Sequence, residues 1–285
     1  KAPLNFSQSF GVANQLKTGK QSALGFLFGL RYGSTVQHDS EAKLNRFRVE
    51  GNTFFSTQEF TRETNTWSAL MKLSYKINPN HSVGFLFMPN VVGSNNLRTI
   101  VGTGIFEDQP DAIYYSNDQF YESRQQMIYQ MTSDHYLPFA KARIHMDASY
   151  TNGSSDIPDF RSLSTFLLNG QLLSGLGNLP NTRDYRYLGE NLFDSRLSIE
   201  IPLAEKPGKS RKIKVGGAYT YLDREFNQYQ YILGGTDSTG NILTGSYIIP
   251  DNDVNSFLNP SNFNVQSYDF QGLPKRRSNI IYIEN

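Results

Sequence analysis

The 285-residue sequence predicts an all-β fold, namely an antiparallel transmembrane β-barrel segment with short turns at one end and long loops at the other. Three observations predict it. Apolar and polar residues alternate along about eight stretches of roughly 10 to 14 residues. Tyrosine and phenylalanine are abundant, and the connections between the stretches alternate between short and long.

The composition excludes several other classes. Aromatic residues make up 13% of the chain and charged residues 19%, yet the mean hydropathy is −0.48. No apolar run approaches the roughly 18 residues that a transmembrane helix needs, whereas a barrel strand is apolar on one face only. The net charge of +1 gives no reason to expect a nucleic-acid partner. The absence of cysteine excludes disulfides, thiol catalysis and cysteine metal sites.

The first hairpin is predicted from residues 4–16 and 24–32, with a turn at residues 17–20. In the first stretch most even positions are apolar and the odd positions are small or polar. This alternation predicts one face toward lipid and one toward water. The return stretch repeats the pattern, with apolar residues at Leu24, Phe26, Phe28, Leu30 and Tyr32.

The second hairpin is predicted from residues 67–77 and from the stretch that begins at Val83. Its turn, residues 78–81, reads Asn-Pro-Asn-His and contains residue types that favour turns. The apolar face of the first stretch carries Trp67, Ala69, Met71, Leu73, Tyr75 and Ile77.

The third hairpin pairs a weakly patterned stretch, residues 125–132, with a clearly alternating one, residues 139–150. One face of the second stretch carries four ionisable side chains in a row, which fits a hydrated barrel interior. We therefore predict four lumen-facing residues: Lys141, Arg143, His145 and Asp147. The fourth hairpin pairs residues 196–203 with residues 212–221 across a polar turn.

The lengths of strands and connections predict a membrane location. Tilted strands of about 9 to 11 residues cross the hydrocarbon, whereas ordinary strands average about 5 to 6. Bacterial outer-membrane barrels have short periplasmic turns and long extracellular loops. Localisation in the bacterial outer membrane is therefore predicted, with Lys17, Asn80 and Pro207 on the periplasmic side. Long loops are predicted near residues 36–66, 92–122, 151–192 and 227–279.

A soluble β-sandwich also alternates, but it predicts shorter strands and loops and no aromatic residues at strand ends. Several aromatic residues lie on the apolar faces here, near the points where strands would leave a bilayer. They predict an aromatic girdle and favour the barrel. These residues are Tyr32, Trp67, Tyr75, Tyr150, Tyr219 and Tyr221.

The repeated hairpins, the stretch Lys76–Phe85 and long loops rich in Asn, Tyr, Asp and Gly resemble the barrel of TonB-dependent outer-membrane receptors, especially those of the Bacteroidota. The resemblance implies a 22-stranded barrel around an N-terminal plug, and import of a nutrient with energy relayed from the inner membrane. The chain departs from that pattern, because no plug sequence is recognisable and residues 280–285 resemble the start of another strand. We therefore expect residues 1–285 to be part of one barrel domain.

No catalytic or metal-binding constellation is predicted, and no cofactor. The four histidines show no metal-ligand spacing, and no Ser/His/Asp set has a local signature. Residues 251–253 read Asp-Asn-Asp but lack the glycine and the terminal glutamate of a calcium loop, so they are interpreted as a solvated loop.

Ligand contact is predicted in the outer loops, where tyrosines cluster and can stack on sugars or pack against peptides. Packing of the loops on one another is the alternative. The candidate residues are Tyr114, Tyr115, Tyr121, Tyr185, Tyr187, Tyr229 and Tyr231.

Three functions remain open at this point, and none of them is enzymatic. In the first, the chain is part of a nutrient receptor, whose partners are the bilayer, a plug and an energy-coupling protein. Alternatively, it is part of a barrel that acts as a scaffold for a surface lipoprotein or another subunit of a larger surface complex. The third possibility is a soluble β-rich binding module.

Overall fold

In the computed structural model the chain forms one antiparallel sheet of eleven strands. The structure describes residues 3–47, 53–104, 111–174, 181–206, 209–236, 239, 241, 243, 246–254 and 263–284. Nine long strands are β1 Phe6–Lys17, β2 Ala23–Phe47, β3 Thr53–Asn78, β4 His81–Thr103, β5 Ile113–Leu137, β6 Ala142–Leu168, β8 Asn181–Lys206, β9 Lys209–Gly235 and β11 Phe263–Glu284. Two short strands are β7 Gln171–Ser174 and β10 Tyr247–Ile248.

The all-β antiparallel architecture predicted from alternation is confirmed. The four predicted hairpins are β1–β2, β3–β4, β5–β6 and β8–β9. The long strands follow one another in chain order across the sheet, and β7 and β10 lie beside this path. The path ends at two edges, because β1 pairs only with β2 and β11 pairs only with β9 among the described strands.

The prediction of long loops is wrong over most of the four segments. Strands β2 to β6, β8, β9 and β11 are 22 to 27 residues long, so they run through most of residues 36–66, 92–122, 151–192 and 227–279. The apolar alternation stops in these segments because both faces of the sheet become polar. The ladder of backbone hydrogen bonds does not depend on hydropathy and therefore continues.

The connections still alternate between the two ends of the sheet. We call one end the turn end, where the strands are joined through residues 18–22, 79–80, 138–141 and 207–208. At the opposite end, the loop end, the strands are joined through residues 48–52, 104–112, 169–180 and 236–262.

Strand register aligns the apolar positions into one belt on one face of the sheet, the belt face. A single row of directly paired residues crosses eight strands without a polar member. It consists of Val12, Phe28, Met71, Phe87, Tyr129, Tyr150, Phe193 and Tyr221. On β3 the belt runs from Trp67 to Ile77, about 33 Å along the strand and about 25 Å in height at a tilt of about 40°.

The other face, the polar face, carries mostly polar and charged side chains. Between the belt and the loop end both faces are polar, and we call this part of the sheet the outer section. The belt height matches the apolar band of about 25 Å that surrounds outer-membrane barrels.

A small cap covers one corner of the loop end. Strand β7 pairs with β6, β10 pairs with β7, and a short 3-10 turn follows at Pro250–Asn252. The Asn252 side chain accepts a hydrogen bond from the Leu172 amide at 2.7 Å and donates one to the Gly170 carbonyl at 3.1 Å. Asn252 thus anchors the cap. Most of the buried apolar residues described lie here: Ala112, Tyr114, Phe166, Leu172, Tyr247 and Ile249.

We expect Gly216→Ala to destabilise the sheet by about 1 to 3 kcal/mol. A Cβ atom at position 216 would lie 2.8 Å from the backbone oxygen of Leu197, which cannot move without disturbing the ladder. Gly25→Ala is the matched control on the same face, because its nearest atom, the Ser74 oxygen, is 3.8 Å away. The stability of both variants is measured as the midpoint of unfolding in urea, with the fluorescence of the single tryptophan as the signal. Equal midpoints for the two variants would contradict the prediction.

Candidate functional site

The belt is exposed to its surroundings over large side chains. Phe28 is 40% exposed, Leu197 48% and Trp67 52%. Soluble monomers rarely expose an apolar patch beyond a few hundred Å². An apolar belt that crosses eight strands on one face is therefore unusual for a soluble monomer.

Aromatic residues with polar ends mark the margin of the belt toward the loop end. The Tyr32 and Trp67 rings lie with centroids 4.5 Å apart, and the Tyr32 hydroxyl donates to Asn65 Oδ1 at 3.0 Å. Four strands away, the Tyr150 hydroxyl donates to Asn191 Oδ1 at 2.7 Å. Each ring has its body among apolar neighbours and its polar end toward the outer section, as side chains do at a boundary between lipid and water.

The structure places three of the four predicted lumen-facing residues on the polar face. Arg143 lies directly opposite Glu200, and Asp147 opposite Arg196. His145 is held between two carboxylates, with Nδ1 2.8 Å from Asp134 and Nε2 2.7 Å from Asp147.

Lys141, the fourth predicted residue, lies outside the strand, so its lumen-facing orientation stays a prediction. It precedes β6 and closes the turn at residues 138–141 in a left-handed conformation, with φ of 50°. Its amide donates to the Pro138 carbonyl at 3.3 Å.

Paired polar residues line the polar face of the outer section. Arg98 forms an ion pair with Asp118, which is 4% exposed and also accepts a hydrogen bond from Ser162 at 2.7 Å. On the neighbouring strands, Arg62 Nε donates to Asn96 Oδ1 at 2.7 Å. These cross-strand pairs satisfy groups that would be costly to bury alone.

Asp184 is the centre of a second polar cluster on this face. Its side chain is 1% exposed, and Oδ1 accepts hydrogen bonds from Gln228 at 3.1 Å and Gln230 at 2.9 Å. Thr182 donates to Oδ2 at 3.2 Å, and the Arg186 guanidinium lies 3.8 Å from the same oxygen. The cluster joins β8 to β9 above the belt.

A cavity with a volume of about 630 Å³ lies on the polar face. The cavity extends across β4, β5, β6, β8 and β9, and residues at its wall include Glu122, Arg124, Arg186, Leu188, Glu190 and Phe226. Arg186 contributes to it while its guanidinium carbon lies 4.8 Å from the centre of the Phe160 ring. A mixed charged and apolar wall of this kind can hold a ligand that presents both kinds of surface.

The seven candidate tyrosines lie in strands, so their prediction as loop residues is wrong. Tyr114, Tyr115 and Tyr121 belong to β5, and the other four belong to β8 and β9. Strand register places six of them on the belt face of the outer section, and only Tyr114, which is buried, on the polar face. The Tyr185 and Tyr231 rings meet edge to face with centroids 5.8 Å apart. The group therefore faces outward and does not line the cavity.

A charge cluster also lies on the outer section. Asp159 accepts hydrogen bonds from Arg183 Nε at 2.7 Å and from Arg161 Nε at 2.8 Å. Desolvation alone would raise the pKa of Asp159, but the hydrogen bonds and charges of Arg183 and Arg161 outweigh it and hold the pKa below its ordinary value. The same contact raises the pKa of Arg183.

No helix in the described part of the chain has the length and apolar character to span a membrane. Within the same residues, no group of three or more His, Asp or Glu side chains is arranged to hold a metal ion. Comparisons with protein-family models, with curated proteins and with solved structures found no match.

We expect Asp184→Ala to destabilise the outer section by about 2 to 4 kcal/mol, because two glutamine amides and Arg186 lose a buried acceptor. Thr182→Val is the control, since it removes one hydrogen bond to the same carboxylate and is expected to cost about 1 kcal/mol. Hydrogen exchange of the β8 and β9 amides measures the local free energy of opening. Equal losses in the two variants would show that Asp184 is not the centre of the cluster.

We expect the contribution of Asp159 to stability to depend on pH. Because its pKa is lowered by folding, the contribution is complete above the ordinary value of 3.8 and is lost as pH falls through the lower folded value. Asp159→Asn should therefore weaken protection of the neighbouring amides by up to about 1 kcal/mol at neutral pH, and the difference from wild type should disappear as the pH falls below the folded pKa. The exposed neighbour Asp156, changed to Asn, is the control. A variant effect that persists unchanged into acid would contradict the assignment.

Proposed function

We propose that the chain forms part of the wall of an outer-membrane β-barrel receptor of the TonB-dependent type, which imports a nutrient ligand through its interior. The observation that carries the proposal is the continuous apolar belt, about 25 Å in height, opposite a charged face that contains a cavity. The TonB-dependent type is inferred from the resemblance of the sequence to such receptors.

The energetics of the belt favour lipid over water. Removing one large apolar side chain from water stabilises a protein by about 1.5 to 3 kcal/mol. The belt presents such side chains on each of eight neighbouring strands, so even half-coverage by lipid amounts to tens of kcal/mol. A soluble binding module would leave this whole belt in water, which folded soluble monomers rarely do, so the belt disfavours that alternative.

The two edges of the sheet support a barrel with more strands. Both β1 and β11 run from the loop end to the turn end, so a direct pairing between them would be parallel. Single-chain bacterial outer-membrane barrels contain an even number of antiparallel strands. We therefore place an odd number of further strands between β1 and β11, since unpaired backbone groups in lipid cost several kcal/mol each.

The cavity on the polar face supports passage of a ligand, because in the proposed barrel this face would line the interior. It brings Arg124, Arg186, Glu190 and Phe226 together, and these residues replace the tyrosines as our candidates for ligand contact. A plug and an energy-coupling protein are the partners that this type of receptor implies.

One observation favours a second candidate, a barrel that serves as an interaction subunit of a surface complex. Six tyrosines face outward above the belt, and Tyr121, Tyr187 and Tyr229 are each more than 40% exposed. Cross-linking of the native protein to the energy-coupling protein would support the receptor. Co-purification of a surface partner that is lost in Tyr187→Ala would support the interaction subunit.

Single-cysteine variants test the wall directly, since the chain has no cysteine of its own. Leu27 and Phe28 are adjacent and almost equally exposed, at 38% and 40%, but they lie on the polar face and the belt face respectively. In native outer membranes we expect a thiol in Phe28→Cys to be shielded from a water-soluble maleimide and to carry a probe that brominated lipids quench. The Leu27→Cys thiol should escape quenching by lipid. Equal quenching and labelling at both positions would exclude a membrane wall.

A further inference from the structure

We propose that His81 and His135 form a two-histidine site for a divalent transition metal, with Cu(II) preferred, at the turn end of the sheet. His81 is the first residue of β4, and His135 lies near the end of β5, directly opposite it. Their Nδ1 atoms are 3.0 Å apart, and both side chains are half-buried. The site is separate from the cavity on the polar face, because register places both histidines on the belt face.

The backbone around the pair is fixed. The Tyr136 amide donates to the Asn80 carbonyl at 2.7 Å, which ties the turn before β4 to β5. The Asn80 amide in turn donates to Asn78 Oδ1 at 2.8 Å. Since both strands are held on either side of the histidines, little further ordering is needed when a metal binds.

The distance between the nitrogens selects among metals. Bonds of about 2.0 to 2.1 Å from a metal to two nitrogens 3.0 Å apart enclose an angle of about 91 to 97°. A tetrahedral zinc site would require nitrogens roughly 3.3 to 3.4 Å apart. An angle near 90° fits the tetragonal geometry of Cu(II) or Ni(II), and Cu(II) binds nitrogen ligands most strongly among the divalent first-row metals.

The pair supplies two cis ligands and leaves the remaining positions to water or to a bound molecule. Without metal, one imidazole donates its Nδ1 proton to Nδ1 of the other, which accounts for the same short distance. When a metal binds, that proton is transferred through solvent to Nε2 of the same ring, so both imidazoles stay neutral and the metal is held between the two Nδ1 atoms. His145 differs, because both of its ring nitrogens lie against carboxylates.

Copper binding to the intact chain in detergent or in its native membrane tests the proposal. Cu(II) alone is the probe, with affinity measured by competition against a chelator and ligands identified by electron paramagnetic resonance. We expect one Cu(II) per chain with hyperfine coupling from two nitrogens. His81→Gln and His135→Gln should each weaken binding by about tenfold or more, since each removes one of two ligands.

Two control variants separate this site from the other histidines. His38→Gln removes a histidine whose Nδ1 lies 2.9 Å from the Thr61 hydroxyl on β2 and β3, and His145→Gln removes the one between carboxylates. Both should bind copper with unchanged affinity. Three results would overturn the proposal. They are a wild-type spectrum with fewer than two coordinated nitrogens, an unchanged copper affinity in His81→Gln, and loss of copper binding in His145→Gln. If a variant fails to fold, the number of coordinated nitrogens in the wild-type spectrum still tests the proposal. The result is independent of whether the barrel transports a ligand.

Discussion

Strand register is the constraint on which the rest of the structure depends. Side chains alternate between faces at every residue, so a slip of one residue between two strands would move an entire apolar set onto the polar face. The pairs Phe28–Met71 and Tyr129–Tyr150 hold the belt together on one side. The same pairings bring Arg186 and Arg124 to one cavity on the other side. The apolar belt and the candidate ligand surface therefore both depend on one hydrogen-bond ladder, and neither can shift without the other.

The sequence allowed the belt to be predicted well, because a strand with one apolar face has a strict period of two, as in Phe26, Phe28 and Leu30. The prediction of strands failed in the outer section, where both faces are polar and no apolar period is required. Thr57 to Thr66, for example, read as loop and yet pair residue by residue with β4. The girdle at Tyr32 and Tyr150 was predictable from position, whereas its hydrogen bonds to Asn65 and Asn191 depend on register between strands and were not.

The candidate sites were largely hidden for the same reason. Tyrosine clusters stand out in a sequence, but a cluster within one strand divides between the two faces, and most of this one faces outward. The residues that line the cavity come from five strands, and nothing in their local sequence distinguishes Arg186 from other surface arginines. His81 and His135 are 54 positions apart, so only the pairing of β4 with β5 brings their nitrogens together. A local motif search cannot detect ligands that are neighbours across a ladder.

The length of the outer section sets the distance between the belt and the loop end. On β9 the belt ends near Tyr221 and the strand continues to Gly235, about 46 Å further along the strand and about 35 Å in height at a tilt of about 40°. The ends of the hydrogen-bonded strands and the cap therefore lie far from the belt. In the proposed barrel, an arriving ligand would first contact the protein about 35 Å from the belt. The length of the strands would thus separate first contact from passage through the membrane.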